Sequence, residues 1–200
     1  MTNKRRETTE VRQLQITEAT LQIIGIKGMT GATTSEIASV VGISEGNIYR
    51  HFKNKEEIIM SVIDKIGNDL ASLLGTVADI ADPVKKLAVI FKRHLAYIEE
   101  NVGIPRTVFS EEVLVLNENL RAKVRQNLQQ YSQGICAIIA QGQEAGIINQ
   151  KLDPNAVTNM FIGTINFTAI KWVMNGFSNS LTAEVEKLWM TFETAVTAKS

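Results

Sequence analysis

The sequence predicts an all-α protein of about nine helices, a small three-helix N-terminal domain joined to a larger helical bundle. Three observations carry this expectation. Ala, Ile, Leu, Val, Glu and Gln dominate a chain of 200 residues that holds only three prolines and is 6% aromatic, a composition that favours helix. Apolar residues recur at helical spacing along the whole length. Capping residues and glycines punctuate those periods at legible starts and stops. The 44% hydrophobic content is ample for a core.

Each element has its own signal. A first helix runs from about Glu10 to Lys27, with Ile16, Ala19, Ile23 and Ile24 on one side, and Gly28 ends it. Thr33, with Glu36 three residues on, makes a capping box for a second helix over 34–41, whose inward face is Ile37, Val40 and Val41. Gly42 supplies a left-handed turn that a side chain resists, and Ser44 caps a third helix over 45–51. Two short helices joined by a tight turn are the layout of a helix-turn-helix, whose second helix enters the DNA major groove by its N-terminal residues.

Asn54 then caps a longer helix with the stripe Ile58, Ile59, Val62, Ile63 and Ile66, reaching Leu73-Leu74-Gly75. Asp82-Pro83 pairs a cap with proline at the first helical position, where the missing N–H costs nothing. That helix, 83–101, carries Leu87, Ile90, Phe91, His94, Leu95 and Ile98, and Asn101 to Pro105 breaks the chain before a shorter helix through Leu116. Asn117 or Asn119 opens the longest helix, which ends near Gly146. Asp153-Pro154 starts another, stopping at Asn175-Gly176. The last runs over 182–199 with Val185, Leu188, Trp189, Phe192 and Val196 along one side. With no Gly/Ser linker, the helix after Asn54 joins the halves directly, and the domain boundary is drawn between 53 and 54, giving domains 1–53 and 54–200.

Charge and composition exclude several classes. Lys plus Arg and Asp plus Glu both number 21, and residues 1–60 hold eight of the former against seven of the latter. Nucleic-acid binding therefore depends on where charges sit, namely Lys4-Arg5-Arg6 and the run Arg50, His51, Lys53, Lys55. A single cysteine, Cys136, excludes an intrachain disulfide, suits a reducing cytoplasm, and is expected to be a small buried hydrophobe. The basic N-terminus has no apolar stretch behind it of the kind a secretory signal needs. The most apolar long segment, 156–177, is interrupted by Thr158, Asn159, Asn166, Lys171 and Asn175, too polar for a membrane span. The two histidines fall in different halves, with no metal-ligand spacing, phosphate loop or nucleophile elbow, so no enzyme, metal or cofactor is expected.

The stretch from Ile16 to about Ile58 resembles the DNA-binding half of the TetR family of bacterial regulators. The resemblance is carried by Ile16, Ala19, Gly28, Thr33, Ile37-Ala38, Gly42-Ile43-Ser44, Gly46, Ile48-Tyr49, His51-Phe52 and Lys55-Glu56, and the predicted helix count and order agree with it. It implies that Glu45, Gly46, Asn47 and Arg50 face the groove, where Asn47 can offer a bidentate amide to adenine and Arg50 a fork to guanine. It also implies phosphate contacts from Thr33, Tyr49, His51 and Lys55, with Thr34 and Ser44 beside them, and an N-terminal arm of Lys4, Arg5 and Arg6. Ile37, Ala38, Val41, Ile43, Ile48 and Phe52 are core under any function. The family often has threonine or a small residue where Asn47 stands, and tyrosine or phenylalanine at Met29.

Further along, Asn119-Leu120-Arg121, Gly142 to Ile148, Asp153, Gly163-Thr164-Ile165 and Trp172-Val173-Met174-Asn175 look similar to TetR-type regulators of fatty-acid breakdown, which respond to long-chain acyl-CoA. A small apolar ligand is expected in the bundle, with Phe91, His94, Tyr97, Phe109, Leu114, Tyr131, Ile135 and Trp172 as candidate lining residues. Plain bundle core is the competing reading for Phe91, Ile135 and Leu114. Family analogy further implies a homodimer paired through the last two helices, with Val157, Phe161, Ile165, Val185, Leu188, Trp189 and Phe192 as the expected interface. The expectation is a cytoplasmic, ligand-responsive transcriptional repressor on a palindromic operator. Reuse of the scaffold as an interaction protein is the rival, disfavoured by the intact Gly46, Tyr49, His51 and Lys55.

Overall fold

A computed structural model describes residues 8–198. Lys4, Arg5 and Arg6, the expected arm, lie outside the described residues. Among those described there are nine α-helices: α1 (Thr9–Gly31), α2 (Thr34–Val41), α3 (Glu45–Ile48), α4 (Lys55–Gly75), α5 (Pro83–Glu100), α6 (Gly103–Val108), α7 (Glu118–Glu144), α8 (Pro154–Met174) and α9 (Val185–Val196). The only β pairing among them is an isolated bridge between Ile148 and Thr197. No described helix is long and apolar enough to cross a membrane.

The sequence signals for starts and stops act as anticipated. Thr33 Oγ1 accepts the Glu36 N–H at 3.2 Å, and Asp153 Oδ1 accepts from Ala156 at 2.7 Å ahead of Pro154. Asn117 Oδ1 takes the Leu120 N–H at 3.1 Å, so Asn117 rather than Asn119 opens α7. Gly28, at φ 73° and ψ 179°, breaks the regular helix so that the turn Met29–Gly31 leaves in a new direction. Gly42, at φ 75° and ψ 35°, closes α2 in the left-handed region where an L side chain is strained.

By packing, the chain forms two compact units. The first comprises the residues up to Ile66 together with Asn101–Val124; the second comprises Gly67–Glu100 and the residues from Arg125 on. The sequence boundary at 53/54 thus falls inside the first unit, and both crossings at Ile66 and Val124 lie within continuous helices, α4 and α7. In the first unit Ile16, Ile23, Ile24, Ile37, Ile48, Phe52, Ile58, Ile59 and Ile63 share a core with Val113 and Leu120. Here α6 approaches α1 closely: a Cβ on Gly103 would land on the carbonyl oxygen of Leu21, while Arg106 Nη1 donates to the Gly25 carbonyl at 2.8 Å.

In the second unit an aromatic cluster fills the space between α5, α8 and α9. Phe91 meets Phe161 edge-on at 5.5 Å and Trp189 at 5.9 Å, and Phe192 meets Phe161 at 5.5 Å. The Glu99 carboxylate accepts from the Leu181 N–H at 2.7 Å and the Thr182 hydroxyl at 2.7 Å, pinning the segment that leads into α9.

Several expectations are corrected. Val40 is exposed, because the eight-residue α2 turns Ile37 and Ala38 inward and Val41 only part-way. Ser44 occupies the N-cap position of α3 but its hydroxyl makes no capping bond; the Asn47 N–H goes to the Ser44 carbonyl instead. α3 stops at Ile48, after which the Arg50 and His51 N–H groups reach back only three residues. The helix expected through Leu116 divides into α6 and a five-residue π-helical stretch, Glu112–Leu116. Cys136 is half-buried, its Sγ 3.7 Å from Asn155 Oδ1.

Candidate functional site

The first candidate surface lies on α2, α3 and the start of α4. α2 sets the frame through Thr33 and Gly42, and buried Ile48 and Phe52 anchor α3 and the turn after it. Around that anchor Thr33, Ser44, Glu45, Gly46, Tyr49 and Arg50 are exposed, and Thr34, Asn47, His51 and Lys55 are half-buried. A Cβ built on Gly46 meets nothing, so the start of α3 stands bare of side chains and open to close approach.

Within this set some groups are already engaged. The Thr34 hydroxyl donates to the Glu45 carboxylate, which ties α2 to the start of α3 and holds that acid away from the open face. Lys55 Nζ donates to the Met29 carbonyl at 3.2 Å, so its ammonium also fastens the start of α4 to the last turn of α1. The half-buried Met29 packs against the core, consistent with a packing role where the family often has an aromatic. The His51 carbonyl accepts from Gln13 Nε2 at 3.1 Å, and its Nδ1 is buried without a hydrogen-bond partner. Lys27 and Lys53 are paired with Glu36 and Glu57, at 2.5 Å and 3.7 Å.

This arrangement can present an amide, a guanidinium and a phenol outward from one short helix and the turn after it. Gln13, whose side chain fixes the turn after α3, was missed in the sequence. Its only signal there is a polar residue on the inward-turning side of α1.

The second candidate site sits inside the second unit. Phe91, His94, Tyr131 and Ile135 are all buried. His94 Nδ1 lies 3.0 Å from the Tyr131 hydroxyl, the rings edge-to-face at 5.3 Å. Burial lowers the His94 pKa to about 3, so the ring is neutral, and burial likewise pushes the Tyr131 phenol upward. One helical turn on, the Tyr97 hydroxyl donates to Asp69 Oδ2 at 2.7 Å. Burial first, then this bond and the Asp69 charge, raise the Tyr97 pKa. Asp69 was missed as well, since no periodic signal in the sequence marks it.

The other lining candidates do not join this group. Trp172 donates its Nε1–H to the Asn179 carbonyl at 2.6 Å and meets Phe177 edge-on, which ties it to the turn after α8. Phe109 and Leu114 belong to the first unit and are 37% and 41% exposed. The expected interface is corrected more sharply. Val157, Phe161, Ile165, Val185 and Phe192 are buried within the chain itself, and Trp189 packs on Phe91 and Phe192. The exposed apolar residues of α8 are instead Met160, Phe167 and Met174, seven residues apart, with Met190 on α9.

Comparison with known proteins agrees along nearly the whole chain. A family model described as bacterial regulatory proteins, tetR family, matches residues 16–62, and one described as YsiA-like protein, C-terminal region, matches residues 57–193. The fatty acid metabolism regulator protein of Bacillus subtilis (strain 168) is 30% identical over 175 residues, covering 86% of this chain and 89% of that protein. The fold is similar to that of the fatty acid degradation regulator FadR from Bacillus halodurans, with TM-score 0.81 and 26% identity over 95% of this chain and 97% of that one. It is also similar to FadR from Bacillus subtilis in complex with stearoyl-CoA, with TM-score 0.79 and 28% identity over 90% and 97% of the two chains.

Proposed function

The chain belongs to the TetR family of bacterial regulatory proteins, and from that premise we propose a homodimeric repressor in the cytoplasm, released from a palindromic operator by a long-chain acyl thioester. The observation that carries the DNA half is the bare, exposed start of α3 at Gly46, flanked by Asn47, Tyr49 and Arg50 on a buried Ile48–Phe52 anchor. Gly46 lets the helix end sit against the base edges, Asn47 and Arg50 supply forked donors to adenine and guanine, and Thr33, Ser44 and Tyr49 hold phosphates. His51 and Lys55 position this surface as well as bordering it.

Two copies pair through Met160, Gly163, Phe167 and Met174 of α8 with Met190 of α9, an apolar strip that is exposed in the single chain. Pairing sets two α3 ends against half-sites about 34–36 Å apart or a multiple of it. The ligand class is supported by the relative crystallised with stearoyl-CoA and by the buried, largely apolar group around His94. α4 runs unbroken from Lys55, beside α3 in sequence, to Asp69, which holds Tyr97. A ligand that displaces α5 therefore pulls on α4, and a preference of about 1–3 kcal/mol for the displaced state gives roughly 5–150-fold loss of DNA affinity.

Selection of binding sites from a random duplex library, with and without stearoyl-CoA, tests this. The expected result is a two-fold-symmetric site whose enrichment falls when stearoyl-CoA is present. An asymmetric site or none overturns the dimeric repressor, and enrichment indifferent to the thioester overturns the ligand.

A further inference from the structure

The acids around α2, α3 and the start of α4 are not equally neutralised. Glu36 is paired with Lys27 and Glu57 with Lys53. Glu45, the first residue of α3, has no such cation: among the described residues its partner is the uncharged Thr34 hydroxyl. An exposed acidic residue therefore stands beside Gly46, at the end of α3 that is open to close approach. A duplex brought to that end presents one negative charge per about 1.7 Å of its axis. A carboxylate loose over the face opposes that approach.

A count of hydrogens limits what Thr34 can do. A threonine hydroxyl owns one hydrogen, and a carboxylate can only accept. Thr34 therefore spends its hydrogen on Glu45 and has none for a phosphate. Its neighbour differs: Thr33 Oγ1 accepts the Glu36 N–H at 3.2 Å and keeps its own hydrogen to give. The Thr34–Glu45 bond also joins the first residue of α2 to the first residue of α3, 11 positions on. It thus holds the carboxylate to α2 instead of leaving it to range around Gly46.

We propose that Thr34 sets DNA affinity through Glu45 alone: its hydroxyl is a tether that keeps an uncompensated carboxylate off the reading end of α3, and it is not a phosphate contact. This rests on the DNA reading of α3 and adds to it an acid that works against binding. The repulsion acts alike on every sequence, because phosphates carry no base information. Thr34 is a positioning residue, acting on DNA only through Glu45.

The test is a double-mutant cycle on the full-length protein: the natural chain, Thr34→Val, Glu45→Gln and the two combined. Fluorescence anisotropy measures each against the duplex enriched by site selection and against a duplex of unrelated sequence, over a range of salt. Glu45→Gln is expected to bind both duplexes about threefold tighter at low salt, the size of one charge–charge interaction through water. That gain fades as added salt screens it. Thr34→Val keeps the shape and removes the donor. It is expected to weaken binding to both duplexes about threefold in the natural background, by release of one charge, and to change nothing in the Glu45→Gln background. An equal cost of Thr34→Val in the two backgrounds makes Thr34 a phosphate contact and overturns the proposal, as does no cost in either. Weaker binding of Glu45→Gln to the enriched duplex makes Glu45 a base reader and overturns it too. If the natural chain binds neither duplex, the DNA reading and the proposal fall together.

Discussion

Burial of His94 makes the fold sensitive to mild acid. The side chain is 4% exposed, and burial lowers its pKa from 6.5 to about 3. A histidine with a depressed folded pKa contributes stability that is complete above the unfolded value and is lost as pH falls toward the folded one. The window therefore runs from about 6.5 down to about 3. Within it the unfolded chain binds one proton more than the native chain, which costs about 1.4 kcal/mol per pH unit. Between pH 7 and pH 5 the loss comes to about 2 kcal/mol. The assay is urea denaturation followed by circular dichroism at pH 7, 6 and 5, on the natural chain and on the double variant His94→Phe/Tyr131→Phe. His51 is present in both and cancels. Glu99 does not intrude: partial burial raises its pKa, but hydrogen bonds from Thr182, Ser180 and Leu181 together outweigh this and hold it below its ordinary 4.5. The reasoning is refuted if the two proteins lose the same stability between pH 7 and pH 5.

Three further outcomes are expected. Gly103→Ala places a methyl on the Leu21 carbonyl oxygen, where backbone meets backbone and neither yields, so calorimetry should show a lower melting temperature for a cost of about 2–3 kcal/mol; an unchanged transition contradicts the close α1–α6 approach. Asn47→Ala and Arg50→Ala, at exposed or half-exposed positions, should each weaken operator binding by about 1–3 kcal/mol and relax the preference at one base pair while the melting temperature stays put. Binding that weakens equally on every duplex would make them phosphate contacts instead. Tyr97→Phe deletes the bond to Asp69 and should leave stearoyl-CoA affinity near that of the natural chain while lessening the release of DNA; full release removes α4 as the link.

What the sequence disclosed, and what it hid, divides by the range of the interaction concerned. Caps are local: Thr33 with Glu36, Asp153 with Pro154 and Gly42 with its positive φ all act within four residues, so they were legible. Periodicity served well where a helix has one apolar side. It identified Ile58, Ile59, Val62 and Ile63 on α4, all of which are buried. It failed on α8 because that helix is apolar on two sides. Val157, Phe161 and Ile165 form one stripe and Met160, Phe167 and Met174 another. Spacing alone says that two stripes exist without saying which one turns toward the aromatic rings of α5 and α9. With Ile162 and Trp172 the first side is the larger and more aromatic, and it went to the core as burial energetics favour, leaving the methionine-rich one outside.

Polar partners are the hardest to read, because the choice between a surface group and a buried one depends on a residue far along the chain. His94 and Tyr131 are 37 positions apart and Tyr97 and Asp69 are 28; nothing in either local pattern couples them. Yet one inference is available from the sequence: a histidine set among Ile90, Phe91, Leu95 and Ile98 on a single helix is buried at a cost that needs a partner. The structure supplies that partner in the Tyr131 hydroxyl, 3.0 Å from His94 Nδ1 on a distant helix. Three positions on along α5, Tyr97 makes a second such pair with Asp69 on α4, the helix that begins at Lys55. Two partnered polar groups one turn apart thus tie α5 to α7 and to α4 at once, through pairings that no local pattern in the sequence could disclose.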